Sequence, residues 1–396
     1  LGIPQDGRVK RVYLDYSATT PVDPRVLEAM KPFFNDTFGN ASSIHAFGRE
    51  TRVALEESRE VVARSLDAEV GEVFFTSGGT ESDNHALKGV AFALRPKGKT
   101  HLITSKAEHH AVLYTCGFLE KLGFEVTYLP VDKYGRVDPD DVRRSITGRT
   151  SLVSIMHANN EVGTLNAIED IAQIANEHGV LFHSDTVQSF GKIPLDVKKI
   201  GVDLLAISGH KIYGPKGIGG LYVRKGTPLE NLLHGGGQER GKRAGTENVP
   251  LTAGLAKAVE ICDQQRSDEM RRLGELRELL KSKLQERFDG LLVNTHPVYN
   301  MPNILSISFD SRRVEIDGEV LLLSLDLKGV AVSNGSACTS GSFEPSHVLL
   351  AMGRDERTAS ASLRFSLGRG NTEADIEYAV HALAEVVERN RRVIAQ

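Results

Sequence analysis

Cysteine is scarce in this chain: three residues among 396, at Cys116, Cys262 and Cys338. No two form a CxxC pair, which excludes a local zinc or dithiol redox motif. An odd count of thiols in a chain without a secretion signal points to a reducing, cytoplasmic setting. Residues 1–13 lack the apolar stretch of a signal peptide and read as mature protein. No apolar run is long enough to span a bilayer, so no membrane partner is expected. A net charge of -4 gives no basic footprint for nucleic acid. Internal repeats and low-complexity segments are also lacking.

What is present is average for a globular protein, with 40% hydrophobic and 25% charged residues. The length exceeds what one ordinary core accommodates and predicts two domains. From residue 73 to 223, short apolar runs alternate with helical stretches. Strands are predicted at 73–75, 101–104, 126–129, 151–156, 180–183, 204–207 and 221–223. Helices are predicted at 81–94, 111–122 and 168–178. This alternation implies a largely parallel sheet with helices on both faces. Beyond Pro250 the character changes. Residues 251–287 predict one or two long amphipathic helices. A smaller α+β region follows, with strands at 304–309 and 363–366 and helices at 314–327 and 372–391. Residues 333–344 read as a polar loop.

Ligands of open α/β sheets bind beyond the carboxyl ends of the strands, and five polar clusters matter here. Thr76-Ser77-Gly78-Gly79-Thr80 joins a strand to a helix, where glycines and free N–H groups suit an anion. It is equally an ordinary capped turn. Asp185-Thr186-Val187-Gln188 follows a strand. A carboxylate there can pair with a protonated ring nitrogen, or simply cap a helix. Ser208-Gly209-His210-Lys211 offers a lysine for a Schiff base beside two donors for phosphate, though most lysines lie on surfaces. Ser333-Asn334-Gly335-Ser336-Ala337-Cys338-Thr339-Ser340-Gly341 sets one thiol among small polar residues. That is the exposure a reactive thiolate needs and not the apolar surroundings of a structural cysteine. Cys116 and Cys262 fall in helical runs and read as helix residues without chemistry. The segment 234–246, rich in glycine and basic residues, is a further anion contact or a solvated loop. An anion loop, a carboxylate and a lysine in this order are the parts of a pyridoxal-phosphate (PLP) site.

With these clusters in place, the chain resembles the cysteine desulfurases of the NifS/IscS type, in the class V aminotransferase group of fold-type I PLP enzymes. The resemblance runs from Tyr13-Leu14-Asp15-Tyr16-Ser17-Ala18-Thr19-Thr20 to Arg364-Phe365-Ser366-Leu367-Gly368-Arg369. It includes Phe75-Thr76-Ser77-Gly78, Glu108-His109, Asn159-Asn160-Glu161-Val162-Gly163 and Ser208-Gly209-His210-Lys211. It implies an α/β fold: a large domain (16–260) with a mainly parallel seven-stranded sheet, and a small α+β domain (1–15 and 261–396) carrying the cysteine loop.

The resemblance also implies roles. Lys211 carries PLP as a Schiff base. His109 stacks on the ring and assists proton transfer. Asp185 pairs with the ring nitrogen, and Gln188 and Asn159 meet the phenolic edge. Gly79, Thr80, Ser208 and His210 hold the phosphate. Thr246 reaches the phosphate of a neighbouring subunit, which implies a homodimer. Arg364 binds the carboxylate of L-cysteine, with Asn40 near the substrate. Cys338 accepts sulfur as a persulfide and passes it to an acceptor such as an iron–sulfur scaffold protein or a thiolation enzyme. No resident metal is implied, although Cys338 could contact a transferred iron–sulfur cluster. Asn334, Gly79 and Ala41 depart from the more common serine, alanine and proline. Alternative readings are a selenocysteine lyase, a class V aminotransferase that releases a keto acid, or a non-catalytic scaffold with a decayed site.

Overall fold

The computed structural model describes residues 10–334 and 344–394, with side chains up to 389 in the last helix. Cys338 lies outside the described residues. The strands are β1 (Val12–Tyr13), β2 (Val73–Thr76), β3 (His101–Ser105), β4 (Glu125–Leu129), β5 (Thr150–Ser154), β6 (Leu181–Asp185), β7 (Leu204–Ser208), β8 (Gly219–Val223), β9 (Leu291–Val293), β10 (Ile304–Phe309), β11 (Val330–Ala331) and β12 (Ser362–Ser366).

Seven of them form one sheet in the order β2-β8-β7-β6-β5-β3-β4. All pairings are parallel except those of β8, which runs antiparallel to both β2 and β7. Strands β2, β3, β5, β7 and β8 are buried at every position. That is why their sequences read as continuous apolar runs, as in sheets covered on both faces. Alternate residues enter opposite cores, as the two-residue period of a strand requires. Ile103, Val153, Phe182 and Leu205 pack on one side. Leu102, Leu152, Leu181 and Leu204 pack on the other, against Leu87, Val90, Val112 and Leu119.

Residues 251–287 form one helix, not two: Val249–Arg287 is continuous over 39 residues. Its first half contributes Leu255, Val259 and Cys262 to the core of the large sheet. Its second half contributes Leu273, Leu280 and Leu284 to a separate core with Val12, Leu14, Ile307, Phe309, Leu325, Phe365 and Leu383. The expected boundary at 260/261 therefore falls inside a helix. The second core covers a three-stranded antiparallel sheet, β12-β10-β9, beside the parallel pair β1-β11.

Most expected helix starts move. The helix expected at 81 begins at Gly79, two residues earlier. The one expected at 314 begins at Gly318, because the Asp317 carboxylate accepts the N–H groups of Glu319 and Val320 and fixes the start there. The helix Ala46–Ser65 and strand β9 were not anticipated.

Candidate active site

The carboxyl ends of β2, β6 and β7 and the turns after β3 and β5 open into one cavity of about 510 Å³. The far wall comes from the second core region: Leu322, Val332, Ser333, Asn334 and Arg364. Of the expected residues, Gly79, Thr80, His109, Asp185, Gln188, Ser208, His210, Lys211 and Arg364 all line it.

Lys211 closes a single 3-10 turn directly after β7. Its amine donates to the carbonyls of Ser17 and Ala18, the latter at 2.9 Å. Burial, with Arg364 and Lys192 as neighbouring cations, lowers its pKa to about 7. Asp185 ends β6, the strand paired with β7, so the carboxylate stands at a strand end next to the turn that carries the amine. The Val187 N–H donates to its Oδ1 at 2.8 Å. Burial raises its pKa to about 6, against that hydrogen bond and the charge of Lys211. His109 caps the helix His110–Lys121 by accepting the Ala111 N–H. Burial and the charge of Lys211 hold its pKa down at about 4, so its imidazole is neutral.

At the anion end, Gly78 has φ +153° and ψ -178°, a region for glycine alone. A methyl group on Gly79 would meet the Val187 side chain at 2.6 Å, which accounts for glycine where alanine is frequent. Thr80 stands in the first turn of Gly79–Leu94, whose leading N–H groups have no partners within the helix. His210 Nδ1 lies 3.2 Å from Thr19 Oγ1.

Arg364, in the middle of β12 and 5% exposed, is held at both ends. One terminal nitrogen donates to Asp15 at 2.7 Å and the other to the Asn160 carbonyl at 2.8 Å. Its Nε is buried without a partner, as are Gln188 Oε1 and Ser17 Oγ. Buried polar atoms are rarely left this way, and so many around one cavity mark a place for a polar ligand.

Three expected residues do not line this cavity. The Asn159 amide donates to the Ala107 carbonyl and its oxygen accepts from Glu161 and Val162, so it shapes the turn, and Asn160 beside it lines the cavity. Asn40 is exposed and accepts the Ser42 N–H. Thr246 lines another cavity of about 220 Å³ with Phe75, Gly217, Glu239 and Arg243. The sequence reading also missed participants. Asp15, Ser17 and Asn160 stand within the resembling stretches without an implied role, and Asp83 stands outside them.

The donor set fits PLP: an amine for its aldehyde, a carboxylate opposite, a neutral imidazole, and hydroxyls with a glycine turn for its phosphate. The pattern over residues 12–379 matches the model of the aminotransferase class-V family. The chain belongs to that family. Among its curated relatives, the cysteine desulfurase IscS of Dictyoglomus turgidum is 52% identical over 384 residues, covering 97% of this chain and 96% of that protein. A solved NifS-like protein is 41% identical with a TM-score of 0.89, over 96% of this chain and all of that one. Another family structure, SspA in complex with cysteine, is 41% identical with a TM-score of 0.80, over 90% of this chain and 98% of that one.

Proposed function

We propose that this protein is a PLP-dependent cysteine desulfurase that converts L-cysteine to L-alanine and loads the sulfur on Cys338. The observation that carries the reading is an amine and a buried carboxylate, Lys211 in the turn after β7 and Asp185 at the end of the neighbouring β6, lining one cavity with a buried guanidinium, Arg364. Lys211 would hold PLP, Asp185 its ring nitrogen, Gln188 its phenolic edge, His109 its face, and Thr80, Ser208 and His210 its phosphate. When bound, PLP draws electrons from the substrate α-carbon.

The residues of the chain do the rest. Arg364 holds the substrate carboxylate, a planar task suited to guanidinium. Lys211, near neutral pKa, takes and returns the α-proton. The Cys338 thiolate bonds to the substrate sulfur as the carbon–sulfur bond breaks. L-cysteine and the thiol thus become L-alanine and a persulfide, with no outside oxidant. Small polar neighbours suit Cys338 to deliver sulfur to an acceptor protein. Thr246, away from the Lys211 cavity, is suited to serve the phosphate site of a second copy in a homodimer.

The test is release of sulfide and alanine from L-cysteine with a reductant. Wild type should yield equal amounts, and Cys338→Ser should keep the yellow cofactor yet lose sulfur transfer. Wild-type sulfide rates in the serine variant would overturn the role of Cys338. A keto acid in place of alanine would move the protein to the aminotransferases, and strong preference for selenocysteine to the lyases.

A further inference from the structure

Beside the cavity, two polar atoms are sealed from solvent without partners: Oδ1 of Asp83 and Nε2 of His183. The residues are 1% and 0% exposed, and the two atoms lie 3.6 Å apart. The other ring nitrogen of His183 is engaged by Ser154 Oγ at 2.9 Å. Asp83 also belongs with His109 and Asp185 to a set in which one side-chain oxygen or nitrogen of each lies within 4.8 Å of those of the others. The remaining ionisable groups facing this spot are Glu108 and Lys211. The Glu108 carboxyl already accepts from Ser105 Oγ and the Met156 N–H.

We propose that Asp83 is a positioning residue that keeps its proton in the working enzyme, shares it with Nε2 of His183, and leaves Asp185 as the one anion at the ring nitrogen of the cofactor. This rests on the PLP reading above. Two carboxylates this close, out of water, do not both ionise. The choice between them follows from their partners. Asp185 has the Val187 N–H and the charge of Lys211 to hold a negative charge. The Oδ1 of Asp83 has neither, and an unpartnered charge there would cost far more than a shared proton. His183 supplies the matching acceptor: a proton on Nδ1 donated to Ser154 leaves the lone pair of Nε2 toward Asp83. The 3.6 Å gap exceeds a hydrogen bond, and a shift of about half an ångström closes it. Burial pushes the two groups in the directions this requires, Asp83 well up and His183 down to about 3.

The test compares Asp83→Asn with Asp185→Asn in the holoenzyme. The readouts are PLP affinity and the pH midpoint of the visible absorbance of the cofactor. Asparagine at 83 is neutral and donates as the protonated acid does, so both readouts should match wild type. Asparagine at 185 removes the anion and should move the midpoint by about one pH unit or more. A shift of that size in Asp83→Asn would show Asp83 ionised and overturn the inference alone. Should that variant fold poorly, wild type labelled with 13C-aspartate gives an independent answer. An infrared carbonyl band of a protonated aspartic acid at neutral pH is expected, and its absence rejects the proposal. Failure of wild type to take up PLP would instead overturn the cofactor reading, while the infrared band still reports the proton on Asp83.

Discussion

Lys211 shows how position rewrites the chemistry of a common residue. An ordinary lysine amine is protonated until far above neutral pH, but this one is held to about 7 by burial and by neighbouring cations. Only the neutral amine attacks an aldehyde, so PLP uptake by apoprotein should accelerate as pH rises through about 7 and level off above it. A stopped-flow absorbance series checks this, and acceleration that begins only near pH 10 would contradict it. Lys211→Ala should show no stable cofactor colour at any pH. Cys116 and Cys262 are buried, and burial raises both thiols, Cys262 to about 11. Neither is suited to nucleophilic work. Most of the site was legible in the sequence because its residues sit in short runs of glycine, hydroxyl and charge next to strands. Asp83 was not, because its meaning comes from Asp185 and His183 about a hundred positions away. Asn40 shows the reverse: a conspicuous stretch whose side chain, in this single chain, serves its own turn.

At the scale of elements, the buried strands were the easiest to read, since an uninterrupted apolar run bounded by turn residues admits few alternatives. The helix Ala46–Ser65 escaped because its apolar positions are spread among many charged ones, although Leu55 and Val62 anchor it fully. Strand β9, three half-buried residues at the margin of a sheet, carries too little pattern to register. The long helix Val249–Arg287 is the element on which most depends, since its two halves serve different cores. Leu280 is completely buried in the second of them. Leu280→Ala should cost about 2–5 kcal/mol of stability, seen as a lower denaturant midpoint. Gln265→Pro, between the halves, should kink the helix at a cost of about 3 kcal/mol. It should split one unfolding transition into two in calorimetry, and a single unshifted transition would show that the halves do not depend on the helix for their coupling.

For the molecule as a whole, buried histidines and buried carboxyls pull the acid limb of stability in opposite directions. His85, His109, His157 and His210 are held at about 4 and His183 at about 3, chiefly by burial. The unfolded chain binds protons at these residues from about pH 6.5 downward and the folded chain does not. Each therefore contributes stability that is present above pH 6.5 and is lost as pH falls from there toward 4. Glu108 works in the opposite sense. Its pKa is raised to about 8, so the folded chain holds a proton that the unfolded one releases, and stability declines as pH rises from 4.5 toward 8. Burial raises Asp185 to about 6 and lifts Asp83 and Glu161 in the same sense as Glu108, so the histidine contribution is read by substitution: His157→Gln should lose less melting temperature than wild type between about pH 6.5 and 4.5. Parallel acid limbs of the variant and wild type in a melting series over that range would contradict it.

The contact between Arg364 and Asp15 changes what substrate binding means energetically. With Arg364 as the proposed carboxylate seat, an incoming anion meets a guanidinium that already carries an internal counter-ion. An arriving amino acid does not neutralise a bare cation. It comes to a guanidinium that Asp15 already pairs and whose Nε has no partner, while the Asn160 carbonyl holds the opposite edge. Asp15 already offsets much of the raw charge attraction, so the net gain from the charge of the substrate is small. Discrimination among anions then falls to shape and to the fixed angle of the guanidinium plane, not to the strength of its charge.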